Sequence, residues 1–386
     1  LRHRKIRQVP LMNKFSMAKI SILVSITLFS ILAATIIIIL NFARSGNGDG
    51  SDEERLRVGL LLNGRADDRS WGQSHYDSLE RVSAQLSCDL ICRENVPEDE
   101  NCTGVISELI EQENCDAVIA DSYGFGEYIA AAAAKYPEIY FLHASGSGSG
   151  RNLGSFFGRM YQFRYLTGII AGLSTKSGTI GYTAAFPIDE VNRGINAFTL
   201  GVRSVNPDAQ VVVSFCGSWT EDETAAASTE KLITEYGADI IAMHTNSLAP
   251  HETAARHGVW SVGYNYDNSG LYPYTYLTAS VWEWDGYYSE QILSVKQGKF
   301  HGEHKWLGIE SGIMKLVEPA AAADKAPGYK EYVEAAEARF RDFSCDVFYG
   351  PVSDNAGNVR VPDGESMSDD TMLGGFDWYV EGVRVV

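Results

Sequence analysis

The sequence predicts an α/β protein of two doubly wound parallel-sheet lobes that face each other across a cleft, preceded by one N-terminal apolar helix. Three observations lead there. Strand-like and helix-like segments alternate beyond residue 55, as they do when crossover helices connect parallel strands. The alternation breaks at "GSGSG" (Gly146–Gly150) and then resumes, which sets two such units in tandem. Ahead of both, Ile20–Leu40 runs 21 residues without a charge, about 31 Å as a helix and enough to span a bilayer.

Residues 1–19 hold Arg2, Arg4, Lys5, Arg7, Lys14 and Lys19 and no acid. Basic residues ahead of an apolar run stay on the cytoplasmic side. Residues 20–42 therefore read as a transmembrane anchor or signal segment, and the remainder of the chain as the extracytoplasmic part, held at the membrane or secreted. The run exceeds the core of about 7–15 residues in a cleaved signal, which favours a retained anchor, with cleavage as the alternative. Residues 43–55 form a flexible linker, "SGNGDGSDEE" being too polar to bury a core. Residues 56–160 make the N-terminal α/β lobe, joined by later crossover segments. Residues 161–386 make the C-terminal α/β lobe with a closing crossover and tail.

In the first lobe "RVGLLL" (57–62) is an apolar run of strand length, and Gly72–Leu86 reads as a helix. Strands at 88–95 and 115–121 flank the helix "GVISELIEQ". The helix "GEYIAAAAAKYP" precedes a strand at 138–144, and "SFFGRMYQ" (155–162) reads as a strand leading into the second unit. There, strands are expected at 178–186, 209–216, 238–245 and 259–267 with helices between them. A strand from Tyr276, the helix "GYYSEQILSVKQGKF" and a hairpin at "DNAGNVRV" complete the pattern.

The net charge is −18, and beyond residue 44 the balance is 25 Lys and Arg against 50 Asp and Glu. A field of that sign repels phosphate backbones, which argues against nucleic acid as a partner. All six cysteines, Cys88, Cys92, Cys102, Cys115, Cys216 and Cys345, lie beyond the apolar run. They permit disulfides outside the cytoplasm or remain buried thiols. Cys88-x3-Cys92 is not a zinc spacing and no histidine is near it, so no metal is expected. His301-x-x-His304 sits in a polar segment and reads as solvated surface.

Enzyme signatures are missing. "LLLNGRADDRSWG" after the first strand is not a dinucleotide fingerprint, and neither a P-loop nor a G-x-S-x-G elbow occurs. Asp67 and Asp68 have no nucleophile or histidine close in sequence. No catalytic residue and no cofactor is assigned.

A binding role accounts for the polar and aromatic residues at the strand ends, where open α/β sheets bind ligands. The first loop offers Asp68, Ser70 and Trp71, and the third offers Tyr123 and Phe125. In the second lobe Trp219 with Glu221, His244 with Asn246, and Tyr264 with Asp267 occupy matching positions. Rings that stack and carboxylates or amides that take edge atoms suit a flat heteroaromatic ligand, held as the lobes close.

These residues also resemble a known family, the basic membrane proteins (BMP), substrate-binding lipoproteins of ABC transporters similar to type I periplasmic binding proteins. "DDRSWGQS", "SFFGRMYQFRYLTGIIAGLSTKSGTIGY", "PIDEVNRGINAFTLGVRSVNPDAQV", "SWTEDETAAASTEKLITEYGADIIAMHTNS", "GVWSVGYNYD" and the closing "VFYGPVSDNAGNVRV…DWYVEGV" occur in the family's order from about Arg57 to Val383. The resemblance implies a non-enzymatic receptor that captures a purine base or nucleoside and delivers it to an ABC permease. It matches Asp68 and Trp71 to the family's first-loop acid and stacking aromatic, Trp219 to the second-lobe aromatic, and Asp267 to an acid that takes ligand hydroxyl or amine groups.

Gly72 stands where asparagine is usual, Glu221-Asp222 where Asp-Pro is, and Asn246 where aspartate is. These departures bear on which ligand is bound rather than on its class. The apolar helix in place of a lipid-modified cysteine leaves a ligand-sensing ectodomain as the alternative. A nucleoside hydrolase is the remaining, remoter reading.

Overall fold

The computed structural model describes residues 55–318, 320–341 and 345–386. The anchor or signal segment expected at 20–42 lies outside the described residues. Among those described, no helix is long and apolar enough to cross a membrane.

The first sheet is wholly parallel. It comprises β1 (Arg57–Leu61), β2 (Asp89–Arg93), β3 (Ala117–Ala120), β4 (Tyr140–Ala144), β5 (Leu153–Gly158) and β11 (His304–Leu307), in the order β11-β5-β4-β3-β1-β2. Helices α1 (Trp71–Leu86), α2 (Cys102–Glu111) and α3 (Gly126–Lys135) connect its early strands. The second sheet has the order β12-β10-β9-β8-β6-β7-β15. Its strands are β6 (Thr179–Ala184), β7 (Gln210–Phe215), β8 (Ile240–His244), β9 (Trp260–Asn265), β10 (Tyr276–Trp282), β12 (Met314–Val317) and β15 (Val383–Val385). Only β12 runs antiparallel to its neighbour, β10. Around it lie α4 (Met160–Ser174), α5 (Asp189–Val205), α6 (Asp222–Thr234) and α7 (Ala249–His257). Helix α8 (Asp285–Lys296) returns to the first lobe beside α1, while α9 (Ala320–Lys325), α10 (Tyr329–Arg341) and α11 (Asp369–Gly374) close the second. A small hairpin pairs β13 (Val352–Ser353) with β14 (Val359–Val361) at the "DNAGNVRV" segment.

The chain crosses between lobes at Gly158–Met160, at Trp282–Asp285 and at Leu307–Met314. The strand expected over 155–162 stops at Gly158, and α4 starts at Met160. A β-carbon on Gly158 would lie 2.4 Å from the Trp282 ring, so glycine lets two crossing segments touch. Close approach also joins α4 to α5. β-Carbons at Gly168 and Gly201 would lie 2.2 Å from the Phe198 carbonyl oxygen and 2.0 Å from that of Tyr165.

The period-two alternation of a strand divides the core of the first lobe. Val118 and Ala120 pack with Phe125 and Ile129 on one face, while Ile119 faces Leu79 and Val82 on the other. Burying each such large aliphatic stabilises the fold by about 1.5–3 kcal/mol. The apolar cluster around Leu60, Phe156, Ile169, Tyr182 and Val262 continues from one lobe into the other. All six cysteines are free thiols. Burial pushes the Cys92 and Cys115 thiols up to about 12, which keeps them protonated and unreactive.

Candidate functional site

Each sheet has a topological switch point. In the first, β1 has β2 on one side and β3 on the other; in the second, β6 lies between β7 and β8. Loops leaving the carboxyl ends of such strands diverge to opposite faces and open a crevice, the usual ligand site of doubly wound sheets. The two crevices are contributed by Asp68–Trp71 with Asp121, and by Phe186–Glu190 with His244.

On the first wall, the Asp68 carboxylate accepts the backbone N–H groups of Ser70 (2.7 Å), Gly72 (2.9 Å) and Gln73 (2.9 Å). It caps α1, so its hydrogen bonds serve the loop rather than an open cleft. Burial nevertheless pushes its pKa up against those three donors. Asp67 is engaged by Arg65 at 2.7 and 2.8 Å. Trp71, half-buried, donates from Nε1 to the Asp121 carbonyl at 3.0 Å. Its ring lies edge-on to His75, Trp282 and Trp284 at 4.3, 5.6 and 5.9 Å.

Sequence reasoning passed over Asp121. It is fully buried, its Oδ1 accepts the Asn63 N–H at 3.1 Å, and its Oδ2 has no partner among the described residues. Burial raises its pKa well above the usual carboxylate range. The turn after β3 divides the two aromatics expected there. Tyr123 points out, 75% exposed, while Phe125 is sealed in the core of the first lobe. Phe125 therefore lines no cleft.

On the second wall, Trp219 is half-buried, and its ring lies 6.0 Å from those of both Phe186 and His244. The Asn246 N–H and the Thr245 hydroxyl donate to its carbonyl at 2.7 and 2.6 Å, fixing the loop. Glu221 is exposed at the start of α6. Asp267 is also exposed and accepts the Ser269 N–H at 2.9 Å. Asn265 has a left-handed φ of +66°, which turns its own side chain inward.

Asn265 donates from Nδ2 to Ser70 Oγ (3.1 Å) and Asn246 Oδ1 (2.9 Å), and its Oδ1 accepts the Trp282 indole N–H (2.9 Å). Ser70 in turn donates to Asn246 at 3.2 Å. Two predicted residues, Ser70 and Asn246, thus meet each other across the lobes, through an asparagine that the sequence did not single out. Alongside α1, Asn268 donates to the Arg69 carbonyl (3.0 Å) and Tyr266 to Asp77 (2.7 Å). The lobes are closed on this side.

Behind the second crevice His244 and Tyr264 are buried. His244 Nε2–H and the Tyr264 hydroxyl both donate to Glu190 Oε1 at 3.2 Å, and the Tyr182 hydroxyl lies 3.4 Å from His244 Nδ1. The Arg164 guanidinium lies 3.8 Å over the Tyr264 ring, with no hydrogen-bond partner among the described residues. Burial, reinforced by Arg164, pushes His244 down to about 4, so the imidazole is neutral at pH 7. Burial opposes the Glu190 charge, but His244 and the two arginines, Arg193 and Arg164, outweigh it and hold the carboxyl at about 2. Glu190 escaped the sequence reading because an acid in a helix's first turn reads as an ordinary dipole partner.

A surface cavity of about 410 Å³ lined by Phe163, Met314, Leu316 and Val333 contains none of these residues. No group of three or more candidate metal ligands occurs among the described residues.

Comparison with known proteins agrees with this architecture. The chain is 32% identical over 338 residues to a purine-binding protein of Brucella abortus, covering 87% of this chain and 95% of that protein. It is 31% identical over 339 residues to a putative ABC transporter glucose-binding protein of Haloferax volcanii, covering 87% and 82%. An ABC transporter solute-binding protein of Conexibacter woesei shares the fold with a TM-score of 0.64 at 16% identity, over 75% of this chain and 97% of that one. The family model for PnrA-like ABC transporter substrate-binding proteins matches residues 55–337, and the chain belongs to that family, Bmp.

Proposed function

We propose that this protein captures a purine base or nucleoside between its lobes, on the extracytoplasmic face of the membrane, and presents it to an ABC permease without chemical change. The observation that carries the reading is the pairing of half-buried indoles, Trp71 and Trp219, with the two switch points. Stacking suits a flat ring, and such contacts contribute about 0.5–1.5 kcal/mol each beyond area burial. The 32% identity to a purine-binding protein supports the same ligand class.

Glu190 offers an accessible acceptor for a ring or sugar donor from the second lobe, and in the first lobe the buried Asp121 carboxyl keeps one oxygen without a partner among the described residues. Binding without chemistry is the activity proposed, in keeping with membership of a family of substrate-binding proteins.

The test is native mass spectrometry of the full chain purified in detergent, followed by release and identification of any bound molecule. Isothermal titration with adenine, hypoxanthine, adenosine, inosine, guanosine and D-glucose completes it. A bound or titrating purine is the expected result. Binding of glucose with no response to any purine would overturn the ligand class, and release of free base from inosine would overturn the non-catalytic assignment.

A further inference from the structure

We propose that Glu190 is the residue of the second lobe that selects the ligand, its unshared Oε2 receiving a hydrogen-bond donor, either a ring N–H or a sugar hydroxyl. The inference rests on the small-molecule reading above and deepens it. Four observations point to this oxygen. Glu190 follows β6, at the switch point where a ligand crevice opens. Its side chain stays 28% accessible although the groups behind it are buried. Both internal donors, His244 and Tyr264, go to Oε1, and no hydrogen bond reaches Oε2 among the described residues. Phe186 and Trp219 flank the same opening, with the Trp219 ring 6.0 Å from that of His244.

An ionised carboxylate accepts hydrogen bonds and donates none. As the cleft closes it loses water, and only a donor on the ligand replaces what is lost. A ligand that presents an acceptor there leaves the charge unpaired and is rejected. His244 and Tyr264 are then positioning residues, which fix one oxygen so that the other has a single orientation. This reassigns two residues that the sequence suggested as direct ligand contacts.

The experiment is a cycle that crosses Glu190→Gln with removal of one donor set at a time from the ligand, the 2′- and 3′-hydroxyl pair, the 5′-hydroxyl or the ring N1–H, using inosine, 2′,3′-dideoxyinosine, 5′-deoxyinosine and 1-methylinosine. Titration calorimetry on the full chain gives each Kd, and the ligand-free melting temperature controls for folding. One analogue should bind the wild type roughly 10- to 100-fold more weakly than inosine, the range for a hydrogen bond to a charged group. Glu190→Gln should weaken inosine by a similar factor while binding that analogue with little further loss, because the two deletions remove one contact. Which analogue shows this tells sugar donor from ring donor.

Losses that simply add, or an unchanged inosine affinity in Glu190→Gln, would overturn the proposal. Should the variant fail to fold, the wild type decides alone, since equal affinities across the four ligands are incompatible with it. If the wild type binds D-glucose and no purine, the purine reading fails, and the same cycle with deoxyglucoses still decides for Glu190. Binding of neither class would sink both.

Discussion

Replacing Asn265 separates what holds the fold from what holds the lobes together. Its side chain is 2% exposed and makes three hydrogen bonds, two within the second lobe (Asn246 and Trp282) and one across to Ser70. Asn265→Gly keeps the left-handed backbone accessible and removes all three. The Trp282 indole N–H loses its buried acceptor, which costs about 1–3 kcal/mol, and the other two bonds contribute about 0.5–1 kcal/mol each. Urea unfolding should register a loss of about 3 kcal/mol, the sum of those contributions. Asn265→Ala should lose about 1–2 kcal/mol more, because a β-carbon at φ +66° is strained. Of these three bonds only the one to Ser70, about 1 kcal/mol, spans the lobes, so the closed-to-open ratio of the ligand-free protein should fall about fivefold. Small-angle scattering or an interlobe energy-transfer pair reads that shift. Equal unfolding midpoints for wild type and Asn265→Gly would refute the stabilising network. A lower midpoint with unchanged closure would refute its interlobe part.

Asp68→Ala should destabilise by about 2 kcal/mol through loss of the α1 cap, with faster amide exchange at Ser70, Gly72 and Gln73, whose N–H groups it accepts. Asp68→Asn, which keeps one acceptor oxygen, should lose less. For pH, burial holds His251 at about 3 in the fold, against an ordinary value of 6.5. The unfolded chain therefore takes up the proton first, and this contribution is complete above pH 6.5 and is lost as the pH falls toward 3. His251→Gln should flatten the melting-temperature profile between about pH 7 and about pH 4.5, and an unaltered slope in that variant would contradict the assignment.

The elements legible from sequence were those with strong local patterns. β1 and β8 are apolar runs, and α1 shows helical spacing with a polar outer face, whereas α5 has the same spacing although its Asn192, Arg193, Asn196 and Thr199 are buried. β11, β12 and β15 were not seen. They are short, only partly buried, and owe their existence to partners as distant as Val211 from Val383. No local signal encodes such pairing. The site residues divide for the same kind of reason. β8 is buried along its whole length, so no alternation announces that His244 faces inward behind Glu190. Beyond the left-handed turn at Asn265 the chain leaves the strand, and Asp267, expected at the cleft, is exposed. Trp71, Trp219, Ser70 and Asn246 lie at or beside the strand-end turns where the sequence placed them.

The threefold passage of the chain between lobes also constrains the order of assembly. The first sheet takes its last strand from His304–Leu307, and the second takes an edge strand from Val383–Val385. Neither can be finished in the order in which a ribosome or a translocation pore delivers residues. A chain emerged only to residue 300 would present three edges that the finished fold covers, Leu153–Gly158, Gln210–Phe215 and Tyr276–Trp282. Each is a ready template for a neighbouring chain, so the interval between synthesis of the first lobe and arrival of the final strands is when aggregation competes with folding.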